Sequence, residues 1–280
     1  MRRNSILIEA DELLRKLGDD KLRIYDATIH FFGGGSGLSA EAQYRQAHIP
    51  GAAFFDHQPF CDPASDYLHT LLPADRLAAP VGALGISAET EVVVYASGVL
   101  PAATRAWWIL YYAGHSRARI LNGGLAAWKQ AGGPIEQGER RYAPATFEGR
   151  PRLHALASKD EVLAAMGDSA VRTVNVLPWE SYTAAHITGS TCLPCLDLMR
   201  EMNAFLPDAE LALRLKEEMP YRRIITYCGG GIAATVNAVA HLIAGNENVA
   251  VYDGSLYEWV GEGLPLTETG TGNWAIWQQK

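Results

Sequence analysis

Two short apolar runs frame the chain: EVVVYAS (91–97) and RIITYCG (223–229). Each is rich in β-branched residues and nearly continuous, which predicts a strand buried on both faces. The same succession of patterns surrounds each run. A helical pattern comes first. EADELLRKLG (9–18) stops at Gly18, and SKDEVLAAMG (158–167) opens on Ser158 with Glu161 three residues later, a capping box. A strand pattern follows, LRIYDAT (22–28) or VRTVNVL (171–177). After each buried run come an apolar helix, PAATRAWWILYYAG (101–114) or AATVNAVAHLIAG (233–245), and one more short strand.

The likeness extends to motifs. YRQAHIPGAAFF (44–55) resembles YTAAHITGSTCL (182–193), and LNGGLAAW (121–128) resembles YDGSLYEW (252–259). His48 and His186 lie 138 residues apart, while Gly123 and Gly254, like Trp128 and Trp259, lie 131 apart. The chain therefore reads as a tandem duplication with small differences in loop length. Alternating strands and helices with apolar strands predict the α/β class, each half a parallel sheet flanked by helices on both faces. The polar stretch 136–152, with two prolines and two glycines, marks the join. The expected division is a first domain at 1–140, a linker at 141–155 and a second domain at 156–280.

Composition narrows the partners. A formal charge of −7 and a pI near 5.6 offer no positive field for nucleic acid or an anionic membrane. No apolar run approaches 18 residues, and MRRNSILIEADELLRKLG lacks the pattern of a signal peptide. Four cysteines, at 61, 192, 195 and 228, are too few for a disulfide scaffold, so a cytoplasmic location is expected.

The chemistry concentrates at Cys228, where a buried strand hands over to a helix through three glycines. In open α/β sheets that strand edge is where ligands bind. Glycines at 229, 230 and 231 let the backbone curl into a nest of N–H groups beside a helix N-terminus, and both favour a thiolate over a thiol. A cysteine phosphatase needs an arginine six positions on, and that position holds Ala234, with no Lys or Arg from 229 to 240. A cysteine protease needs a histidine base, for which His186 and His241 qualify only by their presence. Sulfur transfer remains: the thiolate takes a sulfane sulfur, and backbone dipoles hold the resulting persulfide.

Taken together, AHIPGAAFFD, LLP, LGIS, VVVYAS, RAWWILYYAGH and LNGGLAAW in the first half, with the strand–Cys–loop–helix unit in the second, resemble the tandem-domain rhodaneses. These are the thiosulfate and 3-mercaptopyruvate sulfurtransferases. The resemblance implies two rhodanese-like domains, Cys228 as catalytic nucleophile, and Gly229, Gly230, Gly231, Ile232 and Ala233 as the cradle for its sulfur. It implies a small sulfur donor, thiosulfate or 3-mercaptopyruvate, and cyanide, a small thiol or a protein thiol as acceptor, with no cofactor and no metal. Ala96 stands at the cysteine's place in the first half, so that domain is expected to be structural or to line the cleft, through 97–101 and 27–32. Some positions depart from the family pattern. Gly230 and Ala233 replace a serine and a threonine, Leu177 stands near the place of a substrate-anchoring arginine, and Leu256 where an aromatic is common. Arg200 or a first-domain arginine is the alternative anchor. A low-turnover persulfide carrier serving a protein partner is the alternative function.

Other conspicuous residues read as structural. Cys192 and Cys195 are expected to pack, with Cys195 the one that could approach the active loop; Cys61 is expected to be inert. His48 and His186 recur in both halves, which argues for hydrogen bonding rather than catalysis. Trp107, Trp108, Tyr111 and Tyr112 point to core or interface. Trp274 and Trp277 are expected to pack back on the body or onto a partner.

Overall fold

The computed structural model describes residues 3–30 and 38–269. Phe31, Phe32, Trp274 and Trp277 therefore lie outside the described residues. The first half forms a five-stranded parallel sheet from β1 (Leu7–Ile8), β2 (Leu22–Asp26), β3 (Ala53–Phe54), β4 (Glu91–Tyr95) and β5 (Ala118–Leu121), in the order β1-β5-β4-β2-β3. The second half builds β6 (Leu156–Ala157), β7 (Val171–Asn175), β8 (Thr191–Cys192), β9 (Arg223–Tyr227) and β10 (Val249–Tyr252) in the matching order β6-β10-β9-β7-β8. Two matching parallel sheets with flanking helices are thus present, as the duplicated pattern predicts.

The apolar run of β4 divides between two cores by its period of two. Val92 and Val94 join the main core, while Val93 and Tyr95 join a second cluster with Leu13, Leu125 and Trp128 on the opposite face. The helices bounded above appear as α1 (Ala10–Lys16), α2 (Leu100–Tyr112), α3 (Lys159–Ala165), α4 (Ala234–Ile243) and α5 (Ser255–Gly261). Ser158 caps α3, its hydroxyl accepting from the Glu161 N–H at 3.2 Å. The other half of the expected capping box goes elsewhere: the Glu161 carboxylate pairs with Arg223 at 2.9 Å.

The repeated His motif is a structural brace in both halves. His48 Nδ1 meets the Tyr44 carbonyl at 2.8 Å and stacks on that tyrosine; His186 and Tyr182 repeat the arrangement at 2.8 Å. Residues 139–152 carry no helix or strand and are mostly exposed, but they are anchored at two points. Phe147 is buried, and the Tyr142 hydroxyl donates to Gly51 O at 2.6 Å.

The halves meet through equivalent residues. α2 and α4 face one another, and Thr104 and Thr235, 131 residues apart, hydrogen-bond at 2.8 Å. Asp253 Oδ2 accepts from the Leu71 N–H of the first half at 2.6 Å. Reciprocally, Asn122 Oδ1 accepts from the Phe205 N–H of the second half at 2.9 Å. Such mutual contacts define a two-fold, isologous interface. The main core runs through it without a break, including α2 and α4 residues alike.

Candidate functional site

Cys228 follows the last residue of β9 and is 3 % exposed. The loop behind it is pinned to the start of α5. The Ser255 hydroxyl accepts from the N–H groups of Cys228 and Gly231, both at 3.1 Å, and donates to Tyr252 O at 2.8 Å. Backbone bonds complete the clamp: Leu256 N–H to Cys228 O at 3.1 Å and Tyr257 N–H to Gly229 O at 2.9 Å. Gly231 has φ +75°, and a Cβ there would stand 2.5 Å from Asp253 O, so only glycine closes this turn.

Ser255 holds φ +51°, a conformation that costs a non-glycine residue about 1–3 kcal/mol. The first half shows what this arrangement is for. There Gly124 takes the equivalent place at φ +56°, and Leu125 N–H bonds to Ala96 O at 3.1 Å as Leu256 does to Cys228 O. The backbone construction is thus common to both halves. The strained serine occurs in the half that has the cysteine.

With Ser255 satisfying two of the loop N–H groups, those of Gly229, Gly230, Ile232 and Ala233 donate to no acceptor among the described residues. Gly229, Gly230 and Ile232 are buried. Buried N–H groups without partners are rare, and these three, with that of Ala233 just before α4, leave donors next to Cys228 that can serve negative charge.

The first half supplies a roof. Arg105, buried on α2, donates from Nη1 to Gly231 O at 3.1 Å and pairs with Asp253 Oδ1 at 2.5 Å; its Nη2 donates to His69 O at 2.6 Å. The His69 ring lies against Gly230, as does the ring of Tyr257. Burial, then the Arg105 charge, hold the His69 imidazole below its usual pKa, so it is neutral at pH 7. Ile29 joins Cys61, His69, Arg105 and Ile232 around a cavity of about 10 Å³, too small for a substrate.

These placements refine the expectations. Ile29, within 27–32, reaches the cysteine loop; segment 97–101 instead meets the second half where Leu100 N–H bonds to Met202 O at 2.8 Å. Leu177 is buried, and Arg200 is exposed and paired with Glu210 at 2.6 Å. Cys195 lies in the core, its thiol pushed up to about 12 by burial and by neighbouring Cys228; burial likewise takes Cys192 to about 12. Arg105, His69, Ser255 and Tyr257 were not singled out by sequence. Two had signals: Arg105 is the sole charge in an apolar helix, and Ser255 replaces the repeat's Gly124.

Known proteins agree with this architecture. The Rhodanese-like domain model matches twice, at residues 9–131 and 158–262. The 3-mercaptopyruvate sulfurtransferase of Escherichia coli K12 is 29% identical, over 90% of this chain and 94% of its own. The thiosulfate sulfurtransferase of Mus musculus is 30% identical, over 90% and 89%. The crystal structure of SseA from Escherichia coli, described as a 3-mercaptopyruvate sulfotransferase, superposes with a TM-score of 0.81 at 28% identity, covering 90% of this chain and 98% of that one. With two matched domains spanning most of its length, the chain belongs to the rhodanese-like family and is a sulfurtransferase.

Proposed function

We propose that Cys228 is the nucleophile of a two-step sulfur transfer, with Gly229, Gly230, Gly231, Ile232 and Ala233 as its cradle. The observation that carries this reading is the run of four loop N–H groups, unpartnered among the described residues, that follows a buried cysteine at a strand end. In the first step the Cys228 thiolate attacks the donor's transferable sulfur, the sulfane sulfur of thiosulfate or the thiol sulfur of 3-mercaptopyruvate. A new S–S bond forms. With thiosulfate the old S–S bond breaks and sulfite leaves with its electron pair; with 3-mercaptopyruvate the C–S bond breaks and pyruvate leaves as its enolate, to be protonated. In the second step cyanide or a thiolate attacks the outer sulfur and Cys228 departs as thiolate. The loop N–H dipoles stabilise the persulfide anion between the steps.

In this reading the first domain, 1–140, roofs the site, 141–155 links, and 156–280 carries the chemistry. The four cysteines are free thiols, in keeping with a reducing compartment such as the cytoplasm. A second reading, a low-turnover carrier that hands sulfur to a protein thiol, draws support from the anchoring side. Leu177 is apolar, Arg105 is committed to Asp253, and Arg200 to Glu210.

Turnover with each donor, with cyanide as acceptor, tests the pair. The enzyme reading expects saturable thiocyanate formation with at least one of them. Absence of turnover with both, alongside a mass gain of one sulfur on Cys228, would favour the carrier. Ser255 offers a separate check. Ser255→Gly fits the positive φ but frees the Cys228 and Gly231 N–H groups, so kcat/KM should fall by about tenfold to a hundredfold. Ser255→Ala loses the same acceptor and keeps the strain, so it should be the less stable of the two by about 1 kcal/mol in urea unfolding.

A further inference from the structure

The cysteine loop bears no side chain beyond Ile232 and two alanines, so whatever selects the donor must reach it from another element. Two rings do so, and both converge on Gly230. A Cβ at Gly230 would stand 2.6 Å from Cδ2 and Cε2 of Tyr257, and 3.5 Å from Cδ2 of His69. The Tyr257 contact is too close for any side chain at 230 while that ring keeps its place. The ring is fixed at its root, because Tyr257 N–H bonds to Gly229 O at 2.9 Å on the first turn of α5. Leu256, one position earlier, turns into the core at 1 % exposure, whereas Tyr257 is half-buried. Position 256, on the core side, thus holds no aromatic, and the ring of Tyr257 lies on the side that covers the loop. Burial, and then the charge of Cys228, raise the Tyr257 pKa, so its phenol stays neutral and lies close enough to Cys228 to feel its charge.

Resting on the reading of Cys228 as persulfide carrier, we propose that Tyr257 is the specificity-determining residue of the site, its ring filling the volume above Gly230 and forming the wall against which the sulfur donor must fit. Gly230 and Tyr257 are then a matched pair: the residue at 230 has to be glycine because the wall comes from 257. The wall is an aromatic face with a neutral hydroxyl, beside a neutral imidazole. It favours a small donor with a planar, weakly charged portion over a compact dianion. Of the two donor chemistries, 3-mercaptopyruvate fits this description and thiosulfate does not.

The test is a four-variant comparison on the full chain, with kcat and KM measured separately for both donors and cyanide as acceptor. Tyr257→Ala should move the ratio of kcat/KM for 3-mercaptopyruvate over thiosulfate by about tenfold toward thiosulfate, mainly through KM. Tyr257→Phe keeps the ring and should stay near wild type. Gly230→Ser alone should lose most activity with both donors. Combining it with Tyr257→Ala should recover activity, because the added Cβ then has room. The proposal is overturned if Tyr257→Ala leaves the donor ratio within about twofold, if Tyr257→Phe shifts it as much as Ala does, or if the double variant is no better than Gly230→Ser. Mass spectrometry of Cys228 keeps the two levels apart. Wild-type protein that gains no sulfur from either donor refutes the nucleophile reading itself, whereas sulfur gain with an unmoved ratio refutes only the role of Tyr257.

Discussion

Cys228→Ser should leave no sulfur adduct on the protein and reduce transfer by at least about a thousandfold, to the level of the uncatalysed reaction with the same donor. A serine hydroxyl is a poor thiophile, and none of the other three cysteines can stand in. Cys195 is the nearest rival because it neighbours Cys228, but its thiol, held near 12, is almost wholly protonated at pH 7. Its pKa is raised in the folded protein, so only strongly alkaline solution would bring its thiolate into play. Cys195→Ser is accordingly expected to keep both adduct and turnover. The fold should tolerate Cys228→Ser well, since Ala96 occupies the equivalent place after β4 with the same backbone bond to the helix beyond. Intact-mass measurement after incubation with donor, paired with a thermal melt, reads both halves of the claim. An adduct that survives in Cys228→Ser and vanishes in Cys195→Ser would sink it.

Arg105→Leu should be the most destabilising single change at the roof, at about 3–5 kcal/mol, because it strands the Asp253 carboxylate in the interface between halves. Three contacts go at once: the ion pair with Asp253, the bond to Gly231 O and the bond to His69 O. Leu71 N–H would remain as a partner of Asp253, but a neutral donor does not replace a guanidinium. Adding Asp253→Asn removes the stranded charge, so the double variant should be less destabilised than the sum of the singles. Urea unfolding of the four proteins in the cycle gives the coupling. A cost below about 1 kcal/mol for Arg105→Leu, or strict additivity, would mean the pair is not a keystone. Sulfur transfer should fall in the same variant even where the protein is folded, since Gly231 loses the support that fixes the far end of the cradle.

Much of this was legible in the sequence because the chain carries its own control. The two matching α/β halves, the place of the cysteine and the structural character of His48 and His186 all follow from reading one half against the other. What stayed hidden depended on contacts between halves. His69 has no pattern around it, and its φ of +67° appears only in three dimensions. Arg105 is conspicuous inside an apolar helix, but nothing in the sequence says that Asp253, 148 residues later, awaits it. Loop 97–101 was the natural candidate to face the cysteine because it is the cysteine loop's counterpart. A two-fold arrangement brings counterpart helices together on the axis, as Thr104 and Thr235 show, and directs each loop toward a different part of the other half. Tyr257 was half visible: the missing aromatic at 256 could be noted, but not that the next residue's ring lies over Gly230.

The Thr104–Thr235 contact and the exchanged bonds of Asn122 and Asp253 have a further consequence. The chain is in effect a homodimer whose subunits have been joined, and joining removed the need for the copies to stay alike. A true dimer would have to place any residue in both subunits. Here Arg105 has Val236 as its opposite number, and Ser255 has Gly124. One half could lose its thiol and specialise as a lid while the other kept the reaction. A catalytic half expressed alone would present its cysteine turn to water without Arg105 or His69, and α4 would lose the α2 face it packs on.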